Sequence, residues 1–274
     1  LRPLPGGGRI VGMKHIALVI SSNAEAVGYA KRFADAARER GMSAVPLAEA
    51  EKIELVVAVG GDGTVLEAAH VAVARQVPVV GINLGTIGFL AEAEPDELEE
   101  TVARLATDDF RIEPRNTIEV RLPDGTRGLG INDVVVEKID SQRLVVLDVE
   151  VDGERFLRHR ADGLVVATSM GSTAYSFSAG GPLMDPRVDG ILVTPVAPHS
   201  LFDRSLVIPA DSRVVITVAD DRPVRVSADG RELGSMGEGG RAEIGPGPTP
   251  ARFLRMRREG FPGRITRKFR LEDG

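Results

Sequence analysis

The first hundred residues alternate short apolar runs with stretches of helical spacing. His15 to Ile20 is an apolar run of strand length, and Ser22 and Asn23 follow as good helix N-caps. Val27, Ala30, Ala34 and Ala37 recur at helical spacing, with Lys31, Arg32, Asp35, Arg38 and Glu39 on the other face and Gly41 as a natural stop. Residues 53–60 (IELVVAVG) predict a second strand and residues 64–76 (TVLEAAHVAVARQ) a second helix. Residues 77–82 (VPVVGI) predict a third strand, and 94–106 (EPDELEETVARLA) a third helix with Pro95 and acidic residues in its first turn. Strand and helix in strict alternation argue for a Rossmann-like parallel sheet covered by helices.

After about residue 110 the period changes. NTIEVRL, GLGINDVVVEK, RLVVLDVEVD, ERFLRHRA, GLVVAT, RVVITVAD and PVRVSAD are strand-like, and PDGT, VDGE and DDRP are turn signals between strands. Helical pattern is scarce, so a β-rich, sandwich-like second domain is expected. Residues 234–250 read as a Gly/Pro-rich loop flanked by strands. The expected limits are 13–108 for the α/β domain and 109–258 for the β-rich domain, with a basic segment, 259–274, returning to the first. Residues 1–12 read as a Pro/Gly-rich leader before a start at Met13.

The 274 residues and net charge of −6 narrow the chemistry. No global positive field gathers nucleic acid, so an anionic ligand must be held by local groups. With no cysteine, disulfides, thiolate catalysis and cysteine-ligated metals are excluded, which fits a cytoplasmic chain. No apolar run approaches membrane-spanning length. The four histidines, at 15, 70, 159 and 199, share no metal-ligand spacing.

The chemistry concentrates at two places. The first is Gly60-Gly61-Asp62-Gly63-Thr64, between the second strand and the second helix. Its glycines suit positive φ and close approach to a ligand, and a helix N-terminus favours anions. It is not a Walker A loop, because no Gly-Lys-Ser/Thr follows, and Leu66 stands where the dinucleotide fingerprint needs its third glycine. Asp62 reads in two ways: as a helix N-cap worth about 1 kcal/mol, or as a general base beside a phosphate site, taking the proton of an attacking hydroxyl. The second place is residues 162–181, DGLVVATSMGSTAYSFSAGG, where small hydroxylated residues surround Gly171 and lead to Tyr175. Such a loop lets a flat ligand lie on backbone, with hydroxyls for its oxygens and a ring for stacking. Upstream, Asn132-Asp133 interrupts a strand and offers a donor and acceptors for ribose or an exocyclic amine.

Taken together, these residues resemble the NAD kinase family. The motifs are Gly60 to Thr64, Asn83-Leu84-Gly85 through Gly88-Phe89-Leu90, Asn132-Asp133, Asp162-Gly163, Gly171 to Tyr175 and Gly180-Gly181. The first alone is shared with diacylglycerol-kinase-like lipid kinases; the ordered set from Asn132 to Gly181 is far more specific. The resemblance implies phosphorylation of the 2′-hydroxyl of the adenosine ribose of NAD to give NADP, with ATP, another nucleotide or polyphosphate as donor and Mg2+ arriving with it. Asp62 would be the general base. Gly61 and Gly63 would carry phosphates, and Asn132 and Asp133 the adenosine. Arg143, Arg160, Asp162, Thr173, Ala174, Tyr175 and Ser178 would line the rest of the NAD site. The resemblance also implies a homodimer or homotetramer. The alternatives are a lipid kinase and a catalytically silent NAD-binding protein.

This chain departs from the family pattern in three places. Asn132-Asp133 stands where Asn-Glu is common, Thr168-Ser169-Met170 where Thr-Pro-Thr or Thr-Pro-Ser is frequent, and Arg231 where Gln often follows the Asp229-Gly230 pair. Finally, residues 251–270 hold eight Lys/Arg against one Glu. They read as a solvated tail pairing with acidic residues, or as a track for a polyanionic donor. His159, beside two arginines, reads as a solvated strand histidine.

Overall fold

The structure is a computed structural model in which residues 12–84, 88–257 and 259–271 are described. Gly85, Arg258 and residues 1–11 of the leader lie outside them. The chain divides into two compact units, Leu1–Pro114 with Ala251–Gly274, and Arg115–Pro250.

In unit 1, strands β1 (His15–Ile20), β2 (Ser43–Pro46), β3 (Leu55–Gly60), β4 (Val79–Asn83) and β5 (Arg111–Arg115) are interleaved with helices α1 (Ala24–Glu39), α2 (Asp62–Arg75) and α3 (Leu98–Ala106). Unit 2 opens with β6 (Ile118–Arg121), β7 (Arg127–Gly130), β8 (Asp133–Lys138), β9 (Val145–Val151), β10 (Glu154–Ala161) and β11 (Gly163–Thr168). A short helix α4 (Tyr175–Ser178) precedes β12 (Gly190–Val196), β13 (Leu206–Pro209), β14 (Val214–Val218), β15 (Val224–Ala228), β16 (Arg231–Met236) and β17 (Arg241–Pro246). The chain returns to unit 1 as β18 (Ala251–Arg255) and α5 (Phe261–Phe269).

The sheet of unit 1 runs β2-β1-β3-β4-β18-β5, and β1, β2, β3, β4 and β18 pair in parallel. β3 is buried along its whole length, as expected of a strand covered on both faces. α1 is capped by Asn23, whose side chain accepts from the amide of Ala26. Its buried face is Ala26, Tyr29, Ala30, Phe33, Ala36 and Ala37, whereas Val27 is exposed. The expected stripe was therefore rotated: Tyr29 and Phe33, the bulky residues, decide which face turns inward.

Unit 2 is two antiparallel sheets, β10-β9-β14-β17-β6-β7 and β13-β12-β11-β8-β15-β16. Ile118, Val120, Val134, Val136, Leu147, Leu164, Val166, Ile216 and Val226 fill the core that the two sheets share. β11 is buried throughout, because Val165, Ala167, Leu192 and Met184 form a second cluster on its other face. That covering, continued by the residues around α4, is why GLVVAT reads as an unbroken apolar run rather than an alternation.

Three expectations change. β5 and β18 lie in the sheet of unit 1, so the units meet at 114/115 and 250/251 rather than at 108/109 and 258/259. β18 enters that sheet between β4 and β5, a pairing no local pattern encodes. Residues 234–250 are not a plain loop, since they hold the end of β16 and all of β17. His159 is buried on β10, only 1 % exposed, while Arg158 and Arg160 point to the other, exposed face. Strand alternation, not charge, sets its surroundings, and burial pushes its pKa down.

Candidate functional site

In unit 1 the site begins where β3 ends. Gly61 is the N-cap of α2, at φ −84° and ψ −176°, and Asp62 is the first helical residue. Asp62 is thus not the cap. Neither Gly61 nor Gly63 takes a positive φ. What their lack of a side chain leaves is open space: among the described residues, a Cβ on either would meet no atom within 4 Å beyond its chain neighbours and its own helix backbone.

The Asp62 carboxylate is gripped from a distant segment. The amide of Phe89 donates to Oδ2 at 2.9 Å and that of Leu90 to Oδ1 at 3.1 Å. Gly88 makes this approach possible, since a Cβ there would collide with the carboxylate. The helix start adds a favourable field, because Asp62 stands in the first turn, where the free N–H groups attract negative charge. Asp62 is half-buried and keeps acceptor capacity on both oxygens.

In unit 2, β7 and β8 are separated by Ile131 and Asn132. This break is held by Asp229, at the turn between β15 and β16. Its carboxylate accepts from the amides of Ile131 at 2.7 Å, Asn132 at 2.8 Å and Asp133 at 3.0 Å. Its own amide donates to the carbonyl of Asp133 at 3.0 Å, so the two turns are stapled together. Among the described residues Asn132 Oδ1 is buried with no partner, whereas the Asn132 carbonyl accepts from Thr168 at 2.8 Å. Asp133 is 5 % exposed; desolvation, and then the Asp229 charge, raise its pKa to about 7.

The loop from Thr168 to Gly181 lies against that break. Gly171 packs so closely on Asn132 that any Cβ would collide with its carbonyl. Thr168 Oγ1 donates to Ile131 O at 2.7 Å and accepts from Gly171 N at 3.1 Å. Ser172 Oγ bonds Met184, and Ser176 Oγ shares a hydrogen bond with Thr194 Oγ1 at 2.9 Å. The small polar residues are therefore mostly consumed in holding the loop. Thr173 Oγ1 donates to Met170 O at 3.2 Å, and Thr173 and Ala174 are half-buried. Tyr175 and Ser178 are exposed on α4. The Tyr175 pKa is raised, first by desolvation and then by the charges of Glu137, Asp162 and Asp133.

Asn132, Asp133, Thr173 and Ala174 thus gather where β8 begins and β11 ends, whereas Asp162 stands at the other end of that antiparallel pair, beside Lys138. Arg143 and Arg160 are exposed, in the β8–β9 connection and on β10. Asp162 pairs instead with Lys138, which also donates to Ser141 O at 2.9 Å. Asp229 and Lys138 are the residues sequence reasoning left out of the site. Asp229 carried a signal, as part of an Asp-Gly pair; Lys138 carried none beyond ending a strand.

The basic segment pairs with acidic residues, as expected, but Arg255 is buried rather than solvated. Arg255 is 3 % exposed, paired with Glu92 at 3.0 Å and within 3.7 Å of Glu113. Arg257 pairs with Glu97, and Arg267 with Glu94 at 3.3 Å and Glu259 at 3.0 Å. Among the described residues no group of three or more His, Asp or Glu is arranged to hold a metal. No helix among them is long and apolar enough to cross a membrane.

A parallel α/β sheet presenting a carboxylate at a helix start, with a β-sandwich that leaves an Asn, a buried Asp and a Tyr around a small-residue loop, is the build of a two-domain small-molecule kinase. The comparisons fix the family. Residues 19–110 match the ATP-NAD kinase N-terminal domain and residues 131–256 the ATP-NAD kinase C-terminal domain. "NAD kinase 2" of Streptomyces avermitilis is 39% identical over 223 residues, 80% of this chain and 74% of its own. The NAD kinase of Rhodococcus erythropolis is 43% identical over 225 residues, 80% of this chain and 71% of its own. The yeast NADH kinase, solved with NADH, superposes with a TM-score of 0.85 over 97% of this chain and 89% of its own, at 22% identity, and so supports the fold. An NAD kinase from Archaeoglobus fulgidus, solved with ATP, gives 0.73 at 25% identity over 94% of this chain and 97% of its own. The chain belongs to the NAD kinase family.

Proposed function

We infer that the chain phosphorylates the 2′-hydroxyl of the adenosine ribose of NAD, forming NADP. The observation that carries the mechanism is the placement of Asp62 at the start of α2, fixed by the amides of Phe89 and Leu90. Asp62 takes the proton of the 2′-hydroxyl as its oxygen bonds to the γ-phosphorus of ATP. The bond from that phosphorus to the β–γ bridging oxygen breaks, and ADP leaves. Gly61 and Gly63, with no side chain in the way, admit phosphate oxygens to the backbone N–H groups of the helix start.

A Mg2+ arriving with the donor would supply neutralisation of the phosphate charge. Asn132 and Asp133 hold the adenosine; the buried, unpartnered Oδ1 of Asn132 supports this, being an acceptor suited to an exocyclic amine. Arg143, Arg160, Asp162, Thr173, Ala174, Tyr175 and Ser178 line the remainder. ATP is favoured over polyphosphate, because Arg255 and Arg257 are already paired with glutamates. The resemblance supports a cytoplasmic homodimer or homotetramer, which light scattering on the purified chain would test.

The test is NADP formation from NAD and Mg2+, with ATP or polyphosphate in parallel wells. Wild-type protein gives product with ATP. Asp62→Asn binds NAD but loses about 10²–10⁴ in turnover, the usual worth of a general base. A variant keeping a third of the activity refutes the base, and NAD binding without product in wild type points to a silent sensor.

A further inference from the structure

The segment Gly88–Leu90 that grips Asp62 is in no helix or strand. A side-chain clamp from α5 supports it. The Phe89 ring meets the Phe269 ring at 5.9 Å between centroids, tilted by 54°. Lys268 Nζ sits 5.5 Å from the centre of the same Phe89 ring, within cation–π range. α5 is in turn tied down by Arg267, which pairs with Glu94 and Glu259. Glu94 also accepts from Asn83 Nδ2 at 3.0 Å, so the end of β4 and the far side of the Asp62-binding segment share one anchor.

α5 gives little to the core: none of its residues is buried. A helix that packs on a catalytic segment but not on the core points to positioning rather than stability. We propose that α5 is a clamp for the Asp62 carboxylate, with Phe269 and Lys268 as positioning residues that act through the backbone of Phe89. Phe269 and Lys268 fix where the Phe89 and Leu90 amides stand, and those amides fix the Asp62 oxygens at the position the attacking hydroxyl needs. The proposal rests on the reading of Asp62 as the base.

The test uses the full chain with Phe269→Ala, Phe269→Tyr and Asp62→Asn. Amide hydrogen exchange is read at Phe89 and Leu90 and, as an internal control, along β1, β3 and β4; kcat and both KM values are read alongside. In Phe269→Ala, exchange at Phe89 and Leu90 quickens about tenfold while the strands keep their protection. Its kcat falls about tenfold, with both KM values within about twofold, because a shift well under 1 Å in a reacting group is costly. Phe269→Tyr, which keeps the ring, restores both. Wild-type exchange and kcat in Phe269→Ala overturn the clamp, as does faster exchange with an unchanged kcat, or lost protection throughout the sheet. Activity retained in Asp62→Asn refutes the base itself, whatever Phe269→Ala does; activity lost there with Phe269→Ala at the wild-type rate refutes the clamp alone.

Discussion

Each unit places an aspartate at a break between regular elements, and the two are treated in opposite ways. In unit 1 the loop amides go to the functional carboxylate: Phe89 and Leu90 donate to Asp62 itself. In unit 2 three amides go to Asp229, and Asp133 beside it is left to burial and to its neighbour's charge, with a pKa raised to about 7. A half-buried carboxylate fixed by neutral donors is kept aimed and reachable. A buried carboxylate beside a second carboxylate has its affinity for a proton altered instead. The first arrangement suits a proton acceptor in turnover, the second a recognition group whose protonation depends on its ligand.

The two neutralising substitutions separate these roles. The largest effect is expected from Asp62→Asn, a loss in kcat of about 10²–10⁴ with little change in NAD binding. Asp133→Asn should act mainly on the KM for NAD. Steady-state kinetics on both variants check this, and a matching loss of kcat in Asp133→Asn would erase the distinction.

The next effect is on stability against pH. Between about pH 4 and about 7 folded Asp133 keeps a proton that the unfolded chain has released, so unfolding releases it. Its contribution is therefore greatest below the unfolded pKa, and stability falls as pH rises, by up to about 1.4 kcal/mol per pH unit, until pH passes about 7. Urea melts from pH 4 to 8, with Asp133→Asn as reference, should show the slope in wild type and its loss in the variant. The same slope in both would place the titration elsewhere.

Asp229→Ala sharpens the unit 2 side. Three amides lose their acceptor, at about 1–3 kcal/mol for each left buried and unpaired. A destabilisation of about 3 kcal/mol is expected by denaturant unfolding, with NAD binding weakened through the displaced Asn132. A change below about 0.5 kcal/mol, the range of a plain surface substitution, would show that the staple is not needed.

Much of this was legible in the residues. The alternation of β1, α1, β3, α2 and β4 follows from local periodicity, and the small-residue motifs mark both sites. What was hidden depends on pairing between distant segments. β18 is inserted into a sheet begun more than two hundred residues earlier, and its apolar residues look like any strand's. Asp62 meets amides 27 and 28 residues away, and Asp229 meets amides 96 to 98 away. The burial of His159 follows from its phase on β10, which its flanking arginines disguise.

A last pair of substitutions separates the glycines of the turn from the glycine opposite it, and the smaller of its two effects is the one at the turn. Gly88 faces the Asp62 carboxylate with no room for a methyl group, and Gly61 and Gly63 face open space. Gly88→Ala must push the Phe89 and Leu90 amides or the carboxylate aside, a displacement worth about 10²-fold in kcat. Gly63→Ala lies within α2, where alanine is better than glycine by up to about 1 kcal/mol, so the protein should fold at least as well. If phosphate oxygens use the space beside Gly63, that methyl group raises the KM for the donor severalfold and leaves kcat and stability alone. Kinetics and melting of the two variants side by side decide it. Equal losses of kcat would mean both glycines serve the base, and an unchanged donor KM in Gly63→Ala would move the phosphates away from the turn.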